Sequence, residues 1–479
     1  MNIVLLLFTS FFFFLPLHAN ERRVKTLYNS LDPYSIAQHL TFYELYPNSR
    51  EGLKALHRGW ELLGGRGRMR EILTLSPSSL QAIVDLVNKQ PNRKTSLLDR
   101  NQLDVIDSLA HNLSNRRFKG CWVSSESEVI SLPPEEVDLA HGLLLSQMGN
   151  DQEALIKIRS YEGTLDLMAL QILARLPVHA TPQQKIRAIN DFIFYEMRFR
   201  FPPHSLYAKD VDFYTFLPSV IDSRQGVCLG VSIMYLSLAQ RLDLPLEVIT
   251  PPGHIYIRYR KDGEVINIET TARGVHVDSD TYLGIETKEL QKRNIKEVIG
   301  LAYINQAAVY SQSEDNGKAL ECYRKATPYL PDDMLLKELM GYHCLFIGNL
   351  EEGKKLLSEV NGHIPDHGIV AGTVAEDFLL GNVNSDGIKV LFMYVDETRE
   401  SILKKKDTLI KVLEKHPYFR EGWLNLATAW IQLHRQKEAL SALEKYWKLH
   451  PFDPSAAYYL SVLSAERLDY NNAWNYLQQ

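Results

Sequence analysis

Over the last third of the chain, small residues return at an interval of 34. Ala307, Ala319 and Pro331 recur as Gly341, Gly353 and Pro365, and Ala427, Ala439 and Pro451 recur, in part, as Ser461 and Ala473. Tyr310 and Trp430 occupy the repeat position of Cys344, and Tyr323 that of Leu357 and Leu443. Small residues where two helices touch, a large one facing them and a proline at the exit describe a helical hairpin. Such a hairpin buries its apolar face only against the next one, so the pattern demands a stack. Between Asp366 and His416 the pattern fails, through GNVNSDG and a basic run at Lys404 to Lys406. One degenerate repeat with an insertion fits that length, and the basic run reads as the solvated face of a helix. The closing NNAWNYLQQ stops inside the second helix of a repeat, which leaves an apolar end for a partner or a second copy.

A second stretch, Ser223 to Thr271, carries the chemistry. In SRQGVCLGVSIMYLSLAQRLDLPLEVI a glycine turn precedes Cys228, and an apolar run too long for a strand follows until Pro245. Cys228 is thereby placed at the first turn of a buried helix, where unpaired N–H groups and the helix dipole favour a thiolate. LPLEVIT, GHIYIRYR and VINIETT read as strands, with Asp262-Gly263 at the centre of a hairpin. Alternation puts Ile255, Ile257, Ile266 and Ile268 on one face and His254, Tyr256, Arg258, Asn267 and Glu269 on the other. A two-residue loop pairs Arg260 with Val265, Tyr256 with Glu269 and His254 with Thr271. Glu269 is then the diagonal neighbour of His254, roughly 7–8 Å away along the backbone, and Asn267 lies one pair further off as the weaker alternative for orienting the imidazole.

RQGVC with its apolar helix, then PPGHIYIRY and INIETT, resembles the core of the transglutaminase-like superfamily, whose members share a papain-type Cys-His-Asp fold. INDFIFYEMRFRF and DVDFYTFLPSVIDSRQG upstream resemble its bacterial SirB branch, and the resemblance spans roughly residues 165 to 285. It implies Cys228 as nucleophile, His254 as base and Glu269 as the orienting acid. Glutamate stands here where the superfamily usually has aspartate, and many SirB-branch members lack the cysteine. The Cys228 N–H and the Gln225 side chain are the oxyanion candidates. The 34-residue units match the tetratricopeptide pattern, whose arrays hold a peptide or helix in a concave groove.

Blander readings stand beside these. A single cysteine on an apolar helix is usually a small core residue and a single histidine on a strand is usually structural. Arg258 suits a substrate carboxylate or a solvated strand charge. Trp60 and the pair Cys121-Trp122 read as core. Helical periodicity appears in SIAQHLTFYEL, EGLKALHRGWELL and SLQAIVDLVNKQ, and the first two suggest a diverged helical repeat. Thr181 caps a helix that Pro182 opens, with Ile186, Ile189, Ile193 and Met197 as its apolar stripe.

The first nineteen residues are apolar almost throughout and end in Ala19, the pattern of a secretory signal cleaved there. No Lys or Arg precedes the apolar core, and Arg22 and Arg23 follow it, so an uncleaved membrane anchor is the alternative. A formal charge of -5 with both signs interspersed gives no case for nucleic acid or an anionic membrane. Four cysteines at 121, 228, 322 and 344 form no metal-ligand spacing, and no cofactor is expected; a Cys322–Cys344 bridge competes with packing roles in the repeats.

The expected architecture is a signal peptide at 1–19, a helical N-terminal region at 20–160, an α+β papain/transglutaminase-like core domain at 161–298 and an all-α tetratricopeptide solenoid at 299–479. The expected function is an exported cysteine acyl-transfer enzyme, a peptidase or amidase if water accepts the acyl group and a cross-linking enzyme if an amine does. A protein or peptide ligand would sit in the repeat groove. The alternative is a catalytically silent fold that acts with its repeats as an interaction scaffold.

Overall fold

The computed structural model describes residues 21–65, 72, 75–202, 215–396, 398–451 and 453–478. The expected signal segment, and residues 210–214 of the SirB-like stretch, lie outside them. The chain falls into two compact units. One takes in the chain up to Phe199 with Leu217–Arg224 and Ile233–Leu246; the other comprises Arg200–Phe216, Gln225–Ser232 and Glu247–Gln479.

The first unit is helical. Ile36–Leu45 and Arg50–Leu62 form a hairpin, each capped by a serine whose hydroxyl accepts an N–H of the first turn, Ser35 from Gln38 and Ser49 from Gly52. Pro77–Val87 is the third expected helix. Gln152–Leu173 is the longest, at 22 residues, and carries two fully buried carboxylates. Asp166 meets the guanidinium of Arg241 at 2.7 Å, and Glu162 meets His141 at 2.7 Å. Buried ions of this kind persist only when paired and hydrogen-bonded. Thr181 and Gln184 form a reciprocal capping box at the start of Pro182–Asn190, which continues into a π-helical turn at Asp191–Glu196. Ile186, Ile189, Ile193 and Met197 are all buried. Cys121 is buried as expected, but Trp122 is 70 % exposed, since its indole N–H is satisfied by the Arg116 carbonyl at the surface rather than in the core.

The second unit opens with a four-stranded antiparallel sheet in the order β3-β2-β1-β4, formed by β1 (Glu247–Thr250), β2 (Tyr256–Lys261), β3 (Glu264–Ile268) and β4 (Gln291–Arg293). Arg260 pairs with Val265 and Arg258 with Asn267, the register expected of an Asp-Gly turn. Asp262 and Gly263 both have positive φ, 51° and 85°, as a type I′ turn requires. The strand β4, which pairs with β1, has no counterpart in the sequence reading.

Four helical hairpins follow: Ile295–Gln312 with Asn316–Ala326, Met334–Phe346 with Leu350–Val360, Arg420–Gln432 with Gln436–Leu449, and Pro454–Glu466 with Tyr470–Leu477. Ala307, Ala319 and Ala439 are fully buried, and Ala427 is 1 % exposed. A Cβ on Gly341 would stand 2.8 Å from a Leu357 methyl, and one on Gly353 would stand 2.5 Å from a Leu345 methyl, so each glycine is the space its partner leucine fills. Cys322 and Cys344 are buried thiols not joined in a disulfide.

The segment from 366 to 416 is not a hairpin of repeat length. It consists of the short helices Val374–Leu379 and Ser385–Lys389 and the long Arg399–Lys415. Two of the three lysines of the basic run are not on a solvated face. Lys405 donates to the Leu391 carbonyl, and the Lys406 ammonium lies 5.0 Å from the centre of the Trp430 ring.

Close approach predicts opposite outcomes at two helical glycines. Gly341→Trp should cost about 1–3 kcal/mol or more by overpacking. Gly317→Ala, where the nearest atom is 3.8 Å away, should leave stability unchanged or raise it by up to about 1 kcal/mol. Thermal melts of the two variants check both signs.

Candidate active site

Cys228 is the first residue of the helix Cys228–Arg241, with Val227 accepting the first helical bond from Val231. Its position leaves its own N–H among the unpaired donors of the first turn. The turn before it is held by the Gly226 N–H donating to Arg200 O and by a backbone bridge between Arg200 and Gln225. Gln225 is half-buried, three residues before the thiol. The helix start is tied to the end of β3 by Thr270, whose hydroxyl lies 3.0 Å from that of Ser232 and donates to Cys228 O at 3.4 Å.

His254 sits in the turn Pro251–Pro252–Gly253, just ahead of β2, rather than on the strand itself; its N–H donates to Pro251 O. Gly253 takes φ 70° there, a conformation other residues rarely adopt. Imidazole Nε2 lies 2.7 Å from Glu269 Oε2. The ring is also hydrogen-bonded to the Cys228 thiol. The structure thus brings Cys228, His254 and Glu269 together, with the imidazole interacting with both thiol and acid.

Glu269 directly follows β3 and caps a short 3-10 turn at Thr270–Ala272. Its Oε1 accepts from the Thr271 N–H at 3.0 Å and the Thr271 hydroxyl at 2.6 Å, and its Oε2 accepts from His254 and from the Tyr282 hydroxyl. Burial alone would raise this carboxyl, but the bonds from His254, Thr271 and Tyr282 outweigh it and hold it at about 2. The bond to Cys228, then that to Glu269, raise the imidazole to about 10 against the opposing effect of burial.

Asn267 does not reach His254. Its Oδ1 accepts from Arg258 Nε at 2.9 Å, and its Nδ2 donates to Val277 O and to the Ser279 hydroxyl. Nor is Arg258 a solvated strand charge: it is 7 % exposed, and its guanidinium bonds the neutral oxygens of Asn267, Tyr256 and Ser279. The polar sheet face is covered by residues 276–282. Tyr282 stacks on both His254 and Tyr256, at ring-centre distances of 5.5 and 4.9 Å. Sequence reasoning missed Tyr282, Ser279 and Thr271. Nothing in strand alternation marks a residue 13 positions beyond Glu269 in a separate turn.

Among the described residues no group of His, Cys, Asp and Glu could hold a metal ion, and no helix is long and apolar enough to cross a membrane.

Residues 159–297 match the family model of the transglutaminase-like superfamily. No curated protein matches the chain. Solved structures with similarity include MamA of strain AMB-1, at 14 % identity over 38 % of this chain and 90 % of that one with a TM-score of 0.20. MamA from Desulfovibrio magneticus RS-1 matches at 13 % identity over 37 % and 91 % with a TM-score of 0.19. The TPR domain of P58(IPK) matches at 10 % identity over 92 % and 91 % with a TM-score of 0.18. The chain carries a transglutaminase-like domain and, by its 34-residue period and stacked hairpins, tetratricopeptide repeats.

The two shifts fix a pH window. His254, raised from 6.5 to about 10, contributes stability that is whole below pH 6.5 and lost as pH rises through about 10. Glu269, lowered from 4.5 to about 2, contributes stability that is whole above pH 4.5 and lost as pH falls through about 2. The melting-temperature gap between the native chain and Glu269→Gln should therefore be widest between pH 4.5 and 6.5 and narrow on both sides.

Proposed function

We propose that the transglutaminase-like domain, taken as residues 161–298, is an exported cysteine acyl-transfer enzyme and that the repeats at 299–479 are its protein-binding arm. The observation that carries this reading is a half-exposed thiol at a helix start, hydrogen-bonded to an imidazole that a buried carboxylate holds on its other side. In the reaction, His254 already holds the proton taken from Cys228, as its charged form allows, and Cys228 Sγ forms a bond to the carbonyl carbon as the C=O π electrons move to oxygen. His254 then gives that proton to the leaving amine as the C–N bond breaks, leaving a thioester. Water resolves the thioester in a peptidase or amidase, and an amine resolves it in a cross-linking enzyme. Hydrolysis is the preferred outcome. The Cys228 N–H and the Gln225 side chain are proposed to face the oxyanion. Glu269 keeps the imidazole oriented and stabilises its charged form, and Asn267 has no part in the chemistry.

The N-terminal apolar segment supports export, with cleavage after Ala19; the intact mass of the exported protein tests it, an uncut chain pointing to an anchor. The repeats support a peptide or protein ligand in the concave groove.

Limiting iodoacetamide at pH 6.5 tests the site. Burial pushes the Cys121 thiol up to about 12 and that of Cys344 up to about 11, and Cys322 is buried. Cys228 should label first, and His254→Ala should slow its labelling by at least about tenfold while the other three thiols keep their rates. Exposure alone would also put Cys228 first, so the His254→Ala arm decides. Labelling indifferent to His254 would leave the scaffold reading.

A further inference from the structure

We propose that Tyr282 is a positioning residue of this site, sharing Glu269 Oε2 with His254 through its hydroxyl and covering the imidazole with its ring. This rests on the acyl-transfer reading above. The carboxylate of Glu269 accepts four hydrogen bonds, and the two on Oε2 come from groups that compete for one oxygen. The phenol of Tyr282 is pushed up by burial and by Glu269, so it stays a donor. It thereby draws part of the carboxylate charge away from the imidazole. The ring, nearly parallel to that of His254 at 21°, limits the water that would otherwise screen the imidazole–carboxylate bond.

The position of Tyr282 is itself fixed. The Asn267 backbone N–H donates to His276 Nδ1 at 3.0 Å, and its side-chain Nδ2 donates to Val277 O at 2.7 Å. Arg258 and Asn267 both bond the Ser279 hydroxyl, at 2.8 and 3.0 Å. Tyr282 closes the short turn Ser279–Tyr282 that begins at this anchor. The buried Arg258, which otherwise has no role in the chemistry, is thus the post to which the covering turn is tied. The titratable and charged groups facing His254 are Cys228 on one nitrogen, Glu269 on the other and Tyr282 on the ring face, with Tyr256 and Arg258 reached through Tyr282.

The shared oxygen gives a test that a merely structural residue would fail. Tyr282→Phe frees Oε2 for His254 alone and should raise the imidazole titration, since the hydroxyl no longer takes up part of the carboxylate charge. Ser279→Ala, which loosens the turn that carries Tyr282, should move it in the same direction and by less. The measurement is an NMR titration of the full chain labelled at histidine, with the His254 signal identified by its loss in His254→Ala. No shift, or a downward shift, in Tyr282→Phe would overturn the inference. Failure of the underlying reading shows elsewhere, in Cys228 alkylation that ignores His254.

Discussion

A single buried carboxylate organises the candidate site. Glu269 is 5 % exposed and satisfied by Thr271, His254 and Tyr282. A carboxylate so buried stays ionised only because its acceptor sites are filled, and removing one member of a buried charged pair typically costs about 3–5 kcal/mol. Each donor arrives from a different local device. His254 comes from a Pro-Pro-Gly turn, Thr271 from the 3-10 turn that Glu269 itself caps, and Tyr282 from a turn anchored on Arg258 and Asn267. The same imidazole interacts with the thiol of Cys228 at the start of its helix.

The solenoid rests on a different physics. Its hairpins are held by close backbone approach at small residues and by leucines that fill the space a side chain would take, as at Gly341 and Gly353. The stability of such a stack is approximately the sum of its units and their interfaces. The departure at 366–416 is stitched by ions instead: Arg420 bridges Glu376 and Asp377, which joins the irregular helices to the next regular hairpin.

Much of this was legible in sequence where a local rule has few exceptions. Asp262-Gly263 selects a two-residue turn, and the turn fixes Arg260 opposite Val265 and the pairs behind it as far as Ile257 and Ile268; the expected pairs Tyr256–Glu269 and His254–Thr271 lie beyond the ladder, where Glu269 bridges Val275 instead. The 34-residue period located the hairpins because sterics at a helix contact admit only small side chains. The register also placed Glu269 nearer His254 than Asn267, although for a partly different reason, since both residues lie just outside the strands in turns. What stayed hidden depends on segments folding back over the sheet. The burial of Arg258 and the structural use of Asn267 require the loop 276–282, and β4 is three residues long with no apolar alternation. Trp122, read as core from its size, is exposed because its one polar atom is satisfied at the surface.

Glu269 and Cys228 together hold the His254 imidazole well above the usual histidine range. The nitrogen chemical shifts of His254 in the full chain at pH 8 read this state. Both ring nitrogens should carry the shifts of a protonated imidazolium, consistent with a titration near 10. A neutral ring at pH 8, with one protonated and one bare nitrogen, would show that the thiol and the carboxylate do not hold it charged.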